Sequence, residues 1–235
     1  MSYVLDIKDL RAGYGSFEVV HGIDLKLKEG EVVGLFGHNG AGKTTSLQTV
    51  FGLHKPNSGE IRLKGQVVTG RPCAEMVRRG MSLVMAENSV FADLSVLDNL
   101  RLGAYLEHSS DVIEQRLEGV YRLFPILEER GGQESRTLSG GQQRALSLGI
   151  ALMAAPVVLL LDEPSIGLSP SLVQDMLGTV RELASQHGMS VLLVEQNVSQ
   201  TVKIVDRAYF MRAGSILLEE TATTLRNRKD FWDLF

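Results

Sequence analysis

A glycine-rich stretch near the N-terminus constrains the fold of this chain more than any other feature. It lies between an apolar run of strand length, 31–36, and a segment, 46–52, whose apolar residues recur at helical spacing. It matches the pattern G-x-x-x-x-G-K-[S/T], which forms a phosphate-binding loop when it joins a strand to a helix. The predicted nucleotide-binding loop consists of Gly37, His38, Asn39, Gly40, Ala41, Gly42, Lys43, Thr44 and Thr45.

The residue types of this loop suit a nucleoside phosphate. Its glycines allow backbone N–H groups to turn inward toward phosphate oxygens, and the following helix N-terminus adds partial positive charge. Lys43 can reach the β- and γ-phosphates, and the Thr44 hydroxyl can bind Mg²⁺. The alternative is an ordinary glycine-rich turn, which the flanking strand and helix disfavour.

Composition limits the class of protein. The chain has 235 residues, of which 44% are apolar, enough for one large α/β domain or a core with an inserted subdomain. A net charge of −4 without a basic tail argues against nucleic acid as the main partner. Cys73 is the single cysteine, so no internal disulfide forms, and a reducing compartment is expected. The most apolar stretch, 145–161, is interrupted by Pro156 and predicts a helix then a strand, so we expect a soluble protein without a signal peptide.

A second motif is an apolar run, 157–161, that ends in Asp162 and Glu163. Such a run suits the interior of a parallel sheet, and ligands bind at the carboxyl ends of parallel strands. Asp162 is placed to hold Mg²⁺ through water, and Glu163 to accept a proton from, or orient, an attacking water. The alternative is a strand end with two solvated acids.

The most specific stretch is Leu138 followed by Ser139, Gly140, Gly141 and Gln142. Ser139 and Gln142 have the spacing of a capping box at a helix start, which alone would explain them. The two glycines are poor helix formers, however, and suggest that the backbone approaches a ligand closely. An exposed helix N-terminus of this kind suits an anion.

Periodicity and turn signals predict the remaining elements. Strands are predicted at 4–10, 19–27, 81–85, 157–161, 191–194, 208–211 and 215–218, with a hairpin at 61–68. Helices are predicted at 72–79, 96–105, 112–124, 140–154, 171–186, 197–204 and, in the tail, 225–235. The tail aromatics Phe231, Trp232 and Phe235 are expected to pack on the chain's own core rather than on a partner.

The three motifs, in this order, resemble those of an ATP-binding-cassette (ABC) ATPase over about residues 4–225. The resemblance implies an α/β fold: a P-loop NTPase core with a mixed sheet, an N-terminal antiparallel β layer and an inserted α-helical subdomain. It implies one ATP-binding domain, with the core at about 1–86 and 156–235 and the helical subdomain at about 87–155.

The resemblance also implies roles for single residues. Two such domains close face to face on two ATP molecules, so the signature stretch, 139–142, would contact the γ-phosphate held by a second ABC ATPase subunit. Tyr14 matches the aromatic residue that stacks on adenine, although it could be an ordinary turn tyrosine. Gln196 takes the place of the usual switch histidine. Glu87 takes the place of the usual metal-sensing glutamine and would be a metal residue in addition to Thr44 and Asp162.

These departures narrow the subfamily. Glu87, Gln196 and Ser169, which stands where Asp is usual, together resemble the second ATPase subunit of importers for branched-chain amino acids and of their urea and amide relatives. That group usually has Pro-Glu-Gly where this chain has Ala86, Glu87 and Asn88. Because this loop faces the membrane subunits, the partner or substrate could be atypical.

The sequence therefore predicts an ATP hydrolase, dependent on ATP and Mg²⁺, that drives an amino-acid importer. It would act with transmembrane permease subunits, as a peripheral protein on the cytoplasmic face of the inner membrane. The open alternatives are a urea or amide importer, an exporter of the same family, and a homodimer or a heterodimer. An ABC ATPase of DNA repair or translation is disfavoured, because the sequence has one cysteine, one phosphate loop and no long coiled-coil insertion.

Overall fold

The computed structural model describes residues 3–86 and 90–228, which form two β-sheets and a block of helices. The strands are β1 (Tyr3–Tyr14), β2 (Phe17–Lys28), β3 (Val32–Phe36), β4 (Ser58–Leu63), β5 (Gln66–Val67), β6 (Met81–Val84), β7 (Val158–Asp162), β8 (Ser190–Glu195), β9 (Arg207–Arg212) and β10 (Ser215–Thr221). The helices are α1 (Lys43–Phe51), α2 (Cys73–Arg78), α3 (Val96–Gly103), α4 (Ser110–Leu123), α5 (Pro125–Glu129), α6 (Gly140–Met153), α7 (Pro170–His187), α8 (Val198–Thr201) and α9 (Ala222–Arg226), with a 3₁₀ turn at Ser135–Thr137.

The larger sheet brings the predicted motifs to one edge. Its strand order is β10-β9-β3-β8-β7-β6, and all neighbours are parallel except the antiparallel pair β9–β10. Strands β3, β7 and β8 are buried along their whole length, as expected for strands covered on both faces. Because these three are neighbours, their carboxyl ends place the phosphate loop, Asp162–Glu163 and Glu195–Gln196 side by side.

The smaller sheet is antiparallel, with strand order β2-β1-β4-β5. Its buried face, including Leu10 and Leu25, shares a hydrophobic core with Leu35 of β3 and Leu47 of α1. The prediction that Tyr14 lies in a turn is wrong, since Tyr14 is the last residue of β1 and faces Phe17 across the hairpin.

Helices α3 to α6 lie between β6 and β7 in the chain and pack on one another through Leu100, Leu117, Leu127 and Leu146. The amide of the fully buried Asn99 joins this block to its flanking loops, with bonds to the Phe91 backbone and the Ser135 hydroxyl. Together with the two sheets, this block confirms the predicted fold class. The exact limits of the helical subdomain stay a prediction.

Most predicted elements are present with ends shifted by a few residues, and the last part of the chain differs most. The helix expected at 197–204 is α8 alone, capped by the Asn197 side chain. The predicted tail helix is described only to Arg226 in α9, and the tail aromatics lie outside the described residues. Across residues 3–86 and 90–228, no helix has the length and apolar character needed to cross a membrane.

A buried ion pair joins the starts of the neighbouring strands β3 and β9 in the larger sheet. The Arg207 guanidinium donates two hydrogen bonds to the Glu31 carboxylate, at 2.7 and 3.0 Å, and both side chains are about nine-tenths buried. We expect Arg207→Met to lower the free energy of unfolding by about 3–5 kcal/mol, because it leaves the buried Glu31 carboxylate without its cation. Urea denaturation measures this loss.

Arg181→Met is the matched control, because Arg181 pairs with Asp206 at 2.9 Å in a much more exposed setting. A pair of that kind contributes about 1 kcal/mol or less. Equal losses in the two variants would contradict the assigned role of burial at Arg207.

Candidate nucleotide site

The phosphate loop is built so that its backbone can surround an anion. Gly40 and Gly42 have φ values of 79° and 103°, in the left-handed region that favours glycine. At Gly37, an added Cβ would lie 2.4 Å from the Met211 carbonyl oxygen, so only glycine fits. The Gly214 N–H donates to the Ala41 carbonyl at 2.9 Å and fastens the loop to the turn between β9 and β10.

Lys43 is fixed within this loop. It is 4% exposed, and its Nζ donates to the carbonyl oxygens of Gly37 at 2.8 Å and His38 at 3.1 Å. The same Nζ lies 3.5 Å from Oε1 of Glu163. The ammonium group therefore lies between the loop and the acid that follows β7.

Thr44 and Asp162 form a pair of oxygen donors beside Lys43. The Thr44 hydroxyl donates to Oδ1 of Asp162 at 3.0 Å, and Asp162 is only 3% exposed. Burial raises the pKa of the Asp162 carboxyl, and the hydrogen bond from Thr44 opposes this shift. A bound cation would favour the ionised form, and a carboxylate and a hydroxyl are oxygen ligands of the kind that Mg²⁺ accepts together with water and phosphate.

These two donors fit a magnesium ion that is held partly by the nucleotide. Within the described part of the chain, no group of three or more His, Cys, Asp or Glu side chains could hold a metal by itself. Mg²⁺ commonly keeps several waters and uses one or two protein ligands plus substrate phosphates. Glu87, the third predicted metal residue, lies outside the described residues.

Glu163 and Gln196 meet at the carboxyl edge of the sheet. Gln196 Nε2 donates to Oε1 of Glu163 at 2.8 Å and to Oδ1 of Asn39 at 2.5 Å, which links β7, β8 and the phosphate loop. The φ of Glu163 is 45°, a left-handed conformation that is unfavourable for a residue with a side chain. Its N–H donates to the Val194 carbonyl at 3.0 Å, and this bond holds the strained residue.

Glu195, the last residue of β8, is a further buried acid of this edge and matches none of the predicted motifs. Glu195 is 3% exposed, and its carboxylate accepts hydrogen bonds from the N–H groups of Ser165 at 3.0 Å and Gln196 at 3.3 Å. Burial raises the pKa of this carboxyl. An acid at the end of an otherwise apolar strand was the available signal, and the loop that it holds could not be identified from the sequence.

Gln196→His tests the part that the uncharged amide plays. Glutamine does not ionise in the range where histidine does, so the wild-type rate should show no ionisation at this position. We expect the variant's pH–rate profile to gain an ionisation near about pH 6.5, with the rate changing as the imidazole loses its proton beside Glu163. Steady-state ATPase rates from pH 5.5 to 9 measure this, and an unchanged profile and rate would leave the side chain without a role.

Tyr14 stands beside the first turn of α1. Its hydroxyl lies 3.4 Å from Oγ1 of Thr45, its ring meets the ring of His54 edge to face at 5.1 Å, and 52% of the residue is exposed. The His54 ring is held in turn by Gln48, whose Oε1 lies 2.9 Å from Nε2 of His54. An exposed aromatic ring at the rim of the loop can stack on a planar base.

The signature stretch begins α6 with the predicted capping box. The Ser139 N–H donates to Oε1 of Gln142 at 2.9 Å, and the Gln142 N–H donates to Oγ of Ser139 at 3.4 Å. A Cβ on Gly141 would lie 2.9 Å from Leu172 of α7, whereas Gly140 borders open space. Among residues 3–86 and 90–228, no hydrogen bond joins this stretch to the phosphate loop, so the two elements that the sequence predicts to bind phosphate are separate in the chain.

Comparison with known proteins shows which family this chain resembles. The family profile described as "ABC transporter" matches residues 20–166. The high-affinity branched-chain amino acid transport ATP-binding protein BraG of Pseudomonas aeruginosa is 39% identical over 212 residues, which cover 90% of each chain. The lipopolysaccharide export system ATP-binding protein LptB of Haemophilus influenzae is 35% identical, over 95% of this chain and 93% of that protein.

A solved structure shares the fold. It is a dimeric ATP-binding cassette in a post-hydrolysis state with ADP and phosphate, and it covers 93% of this chain and 98% of its own, with a TM-score of 0.82 and 22% identity.

Proposed function

This chain belongs to the ABC transporter family of ATPases, and we propose that its ATP hydrolysis drives a membrane importer for branched-chain or related amino acids. The observation that carries the choice of cargo is the 39% identity to BraG over 90% of both chains. The combination of Gln196 and Ser169 supports the same group. Urea and amide importers, whose motifs the sequence also resembles, are the nearest alternatives.

Within the site, each residue has a proposed part. The phosphate loop and Lys43 would hold the phosphates of ATP, and Tyr14 would stack on adenine. Thr44 and Asp162 would hold Mg²⁺, together with Glu87, and the metal would neutralise charge on the β- and γ-phosphates. Glu163 would orient the attacking water and accept its proton, while Gln196 holds the Glu163 carboxylate in place.

The γ-phosphate side of the site would be completed by a second cassette. Ser139, Gly140, Gly141 and Gln142 form a partly exposed helix start that suits an anion and, within the described residues, is not hydrogen-bonded to its own phosphate loop. Two cassettes, either two copies of this chain or this chain with a related one, would close over two ATP molecules. Closure would move transmembrane permease subunits at the cytoplasmic face of the inner membrane, and hydrolysis would reset them, with no part for nucleic acid.

Reconstitution tests the proposed transport. The tagged chain is purified from detergent-solubilised membranes with its bound membrane subunits, and the complex is placed in proteoliposomes. We expect ATP-dependent uptake of radiolabelled leucine that exceeds the movement of urea or acetamide. Export of a lipid substrate without leucine uptake would instead favour a function like that named for LptB and would refute the proposed import.

A further inference from the structure

Helix α6 is bound to strand β6 at two separate points. Near its start, the Arg144 guanidinium donates to the carbonyl oxygens of Met85 at 3.0 Å and Ala86 at 2.7 Å, just beyond the end of β6. Near its end, the Ala151 carbonyl accepts a hydrogen bond from the Ser82 hydroxyl at 3.2 Å. The helix that carries the signature stretch is thus joined directly to the edge strand of the core sheet.

The spacing between the two links is nearly the same along α6 as along β6, so together they fix the register of the helix on the strand. Seven residues of helix separate Arg144 from Ala151, a rise of about 10.5 Å. Three residues of strand separate Ser82 from Met85, a rise of about 10 Å. Arg144, near the start of α6, binds just beyond the end of β6, whereas Ala151, near the end of α6, binds close to the start of β6. Helix α6 therefore runs antiparallel to β6, and each link prevents the helix from sliding along the strand.

The chemistry at Arg144 is specific to a guanidinium. Its planar fork binds two adjacent carbonyl groups at once, which the single ammonium of lysine cannot reproduce in the same geometry. The side chain is half-buried: burial lowers its pKa, and the negative charges of Glu195 and Asp162 oppose this shift. Arg144 therefore lies within range of the charges of the acids at the ends of β7 and β8 while its guanidinium binds the end of β6.

We propose that Arg144 is a positioning residue. It fixes the position of α6 along β6 and so orients Ser139 and Gly141 toward the nucleotide of the second cassette. Ser139 lies five residues before Arg144, less than two helical turns from the anchor. If the anchor is lost, the helix start can tilt while the phosphate loop of the same chain is unchanged. The orientation of Ser139 and Gly141 toward a second cassette rests on the proposed pairing of two cassettes, whereas the anchoring of α6 to β6 does not.

Arg116→Gln is the matched control. Arg116 donates to the Met153 carbonyl at 2.9 Å, at the last residue of α6, and pairs with Glu107 at 3.0 Å. It is thus another arginine bound to a main-chain carbonyl of the same region, but it links α4 to α6 within the helical block. Its loss should not release α6 from β6.

The first experiment measures the mechanical link in the nucleotide-free chain. Nitroxide labels are attached to Cys73, the single cysteine, and to a cysteine introduced at the exposed Leu102 on α3, a helix that packs on α6 without using Arg116. We expect Arg144→Gln to broaden the distance distribution between the labels, Arg144→Lys to broaden it less, and Arg116→Gln to leave it at the wild-type width. An unchanged width in Arg144→Gln would overturn the proposal, whether or not two cassettes pair.

The second experiment measures the consequence for pairing, in the Glu163→Gln background that should hold the dimer closed. We expect Arg144→Gln to raise the protein concentration needed for ATP-dependent dimers about tenfold, while the monomer's affinity for ATP changes less than about twofold. Arg144→Lys should recover part of the loss. Equal effects of Arg144→Gln and Arg116→Gln would overturn the positioning role.

The two experiments separate this inference from the proposed function. If Glu163→Gln with wild-type Arg144 forms no ATP-dependent dimer, the proposed pairing fails, and the label distances alone decide whether Arg144 anchors α6. Thermal melting of each variant identifies any general loss of folding. If Arg144→Gln is not folded, the label distances and dimerisation of Arg144→Lys, which keeps the charge, are compared with those of the wild type instead.

Discussion

Glu163→Gln is expected to bind ATP normally, to form a closed dimer with it, and to lose at least about 100-fold in turnover. Oε1 of Glu163 accepts a hydrogen bond from Gln196 at 2.8 Å and lies 3.5 Å from the Lys43 ammonium. Glutamine keeps an oxygen for both contacts and nearly the same volume. What it loses is the negative charge and the ability to accept a proton from water, so binding and catalysis should separate.

Glu195→Gln is the control for this substitution. Glu195 is also an acid at a strand end, but its carboxylate accepts backbone N–H groups of Ser165 and Gln196 rather than facing Lys43. An amide oxygen at this position can still accept one of these bonds, so the variant should keep most of its turnover. ATPase rates and size-exclusion chromatography with and without ATP distinguish the two variants, and full hydrolysis by Glu163→Gln would remove Glu163 from the mechanism.

The sequence predicted those parts of the fold that depend on local pattern. The apolar runs before Gly37 and Asp162 indicated buried strands, and the rule that ligands lie at the carboxyl ends of parallel strands predicted that the loop and the acids would meet. The capping box of Ser139 and Gln142 was likewise a local signal. Each of these needs only a few neighbouring residues to be recognised.

What the sequence could not predict depends on contacts between distant residues. The bond between Gln196 and Asn39 joins residues 157 positions apart, and the bonds of Arg144 reach carbonyls that carry no sequence signal. Tyr14 is a local exception: a turn was predicted there because glycines flank it, whereas pairing with Phe17, three residues on, extends β1 to Tyr14. Strand pairing overrode the turn preference of the flanking glycines there.

Lys43→Met should weaken ATP binding about 10- to 100-fold and reduce hydrolysis below detection. The main cause is the loss of positive charge at the γ-phosphate. The methionine side chain is similar in length and can occupy the buried channel between Gly37 and Glu163. Lys43 also donates to two loop carbonyls, so part of the loss reflects a less rigid loop. Binding of a fluorescent ATP analogue measures the change, and Lys55→Met, which removes an exposed cation, should bind normally.

A mixture of two inactive variants then tests whether the site spans two chains. Ser139→Asp keeps a good N-cap for α6 but places a negative charge where the partner's γ-phosphate would lie, so it should fold normally and fail to hydrolyse ATP. A mixed dimer with Lys43→Met contains one intact composite site, formed by Lys43 of one chain and Ser139 of the other. If two copies pair at random, half the dimers are mixed and each has one working site of two, so a 1:1 mixture should regain about a quarter of the wild-type ATPase rate. No recovery would show that two copies of this chain do not share a site, and the second cassette would then have to be a different chain.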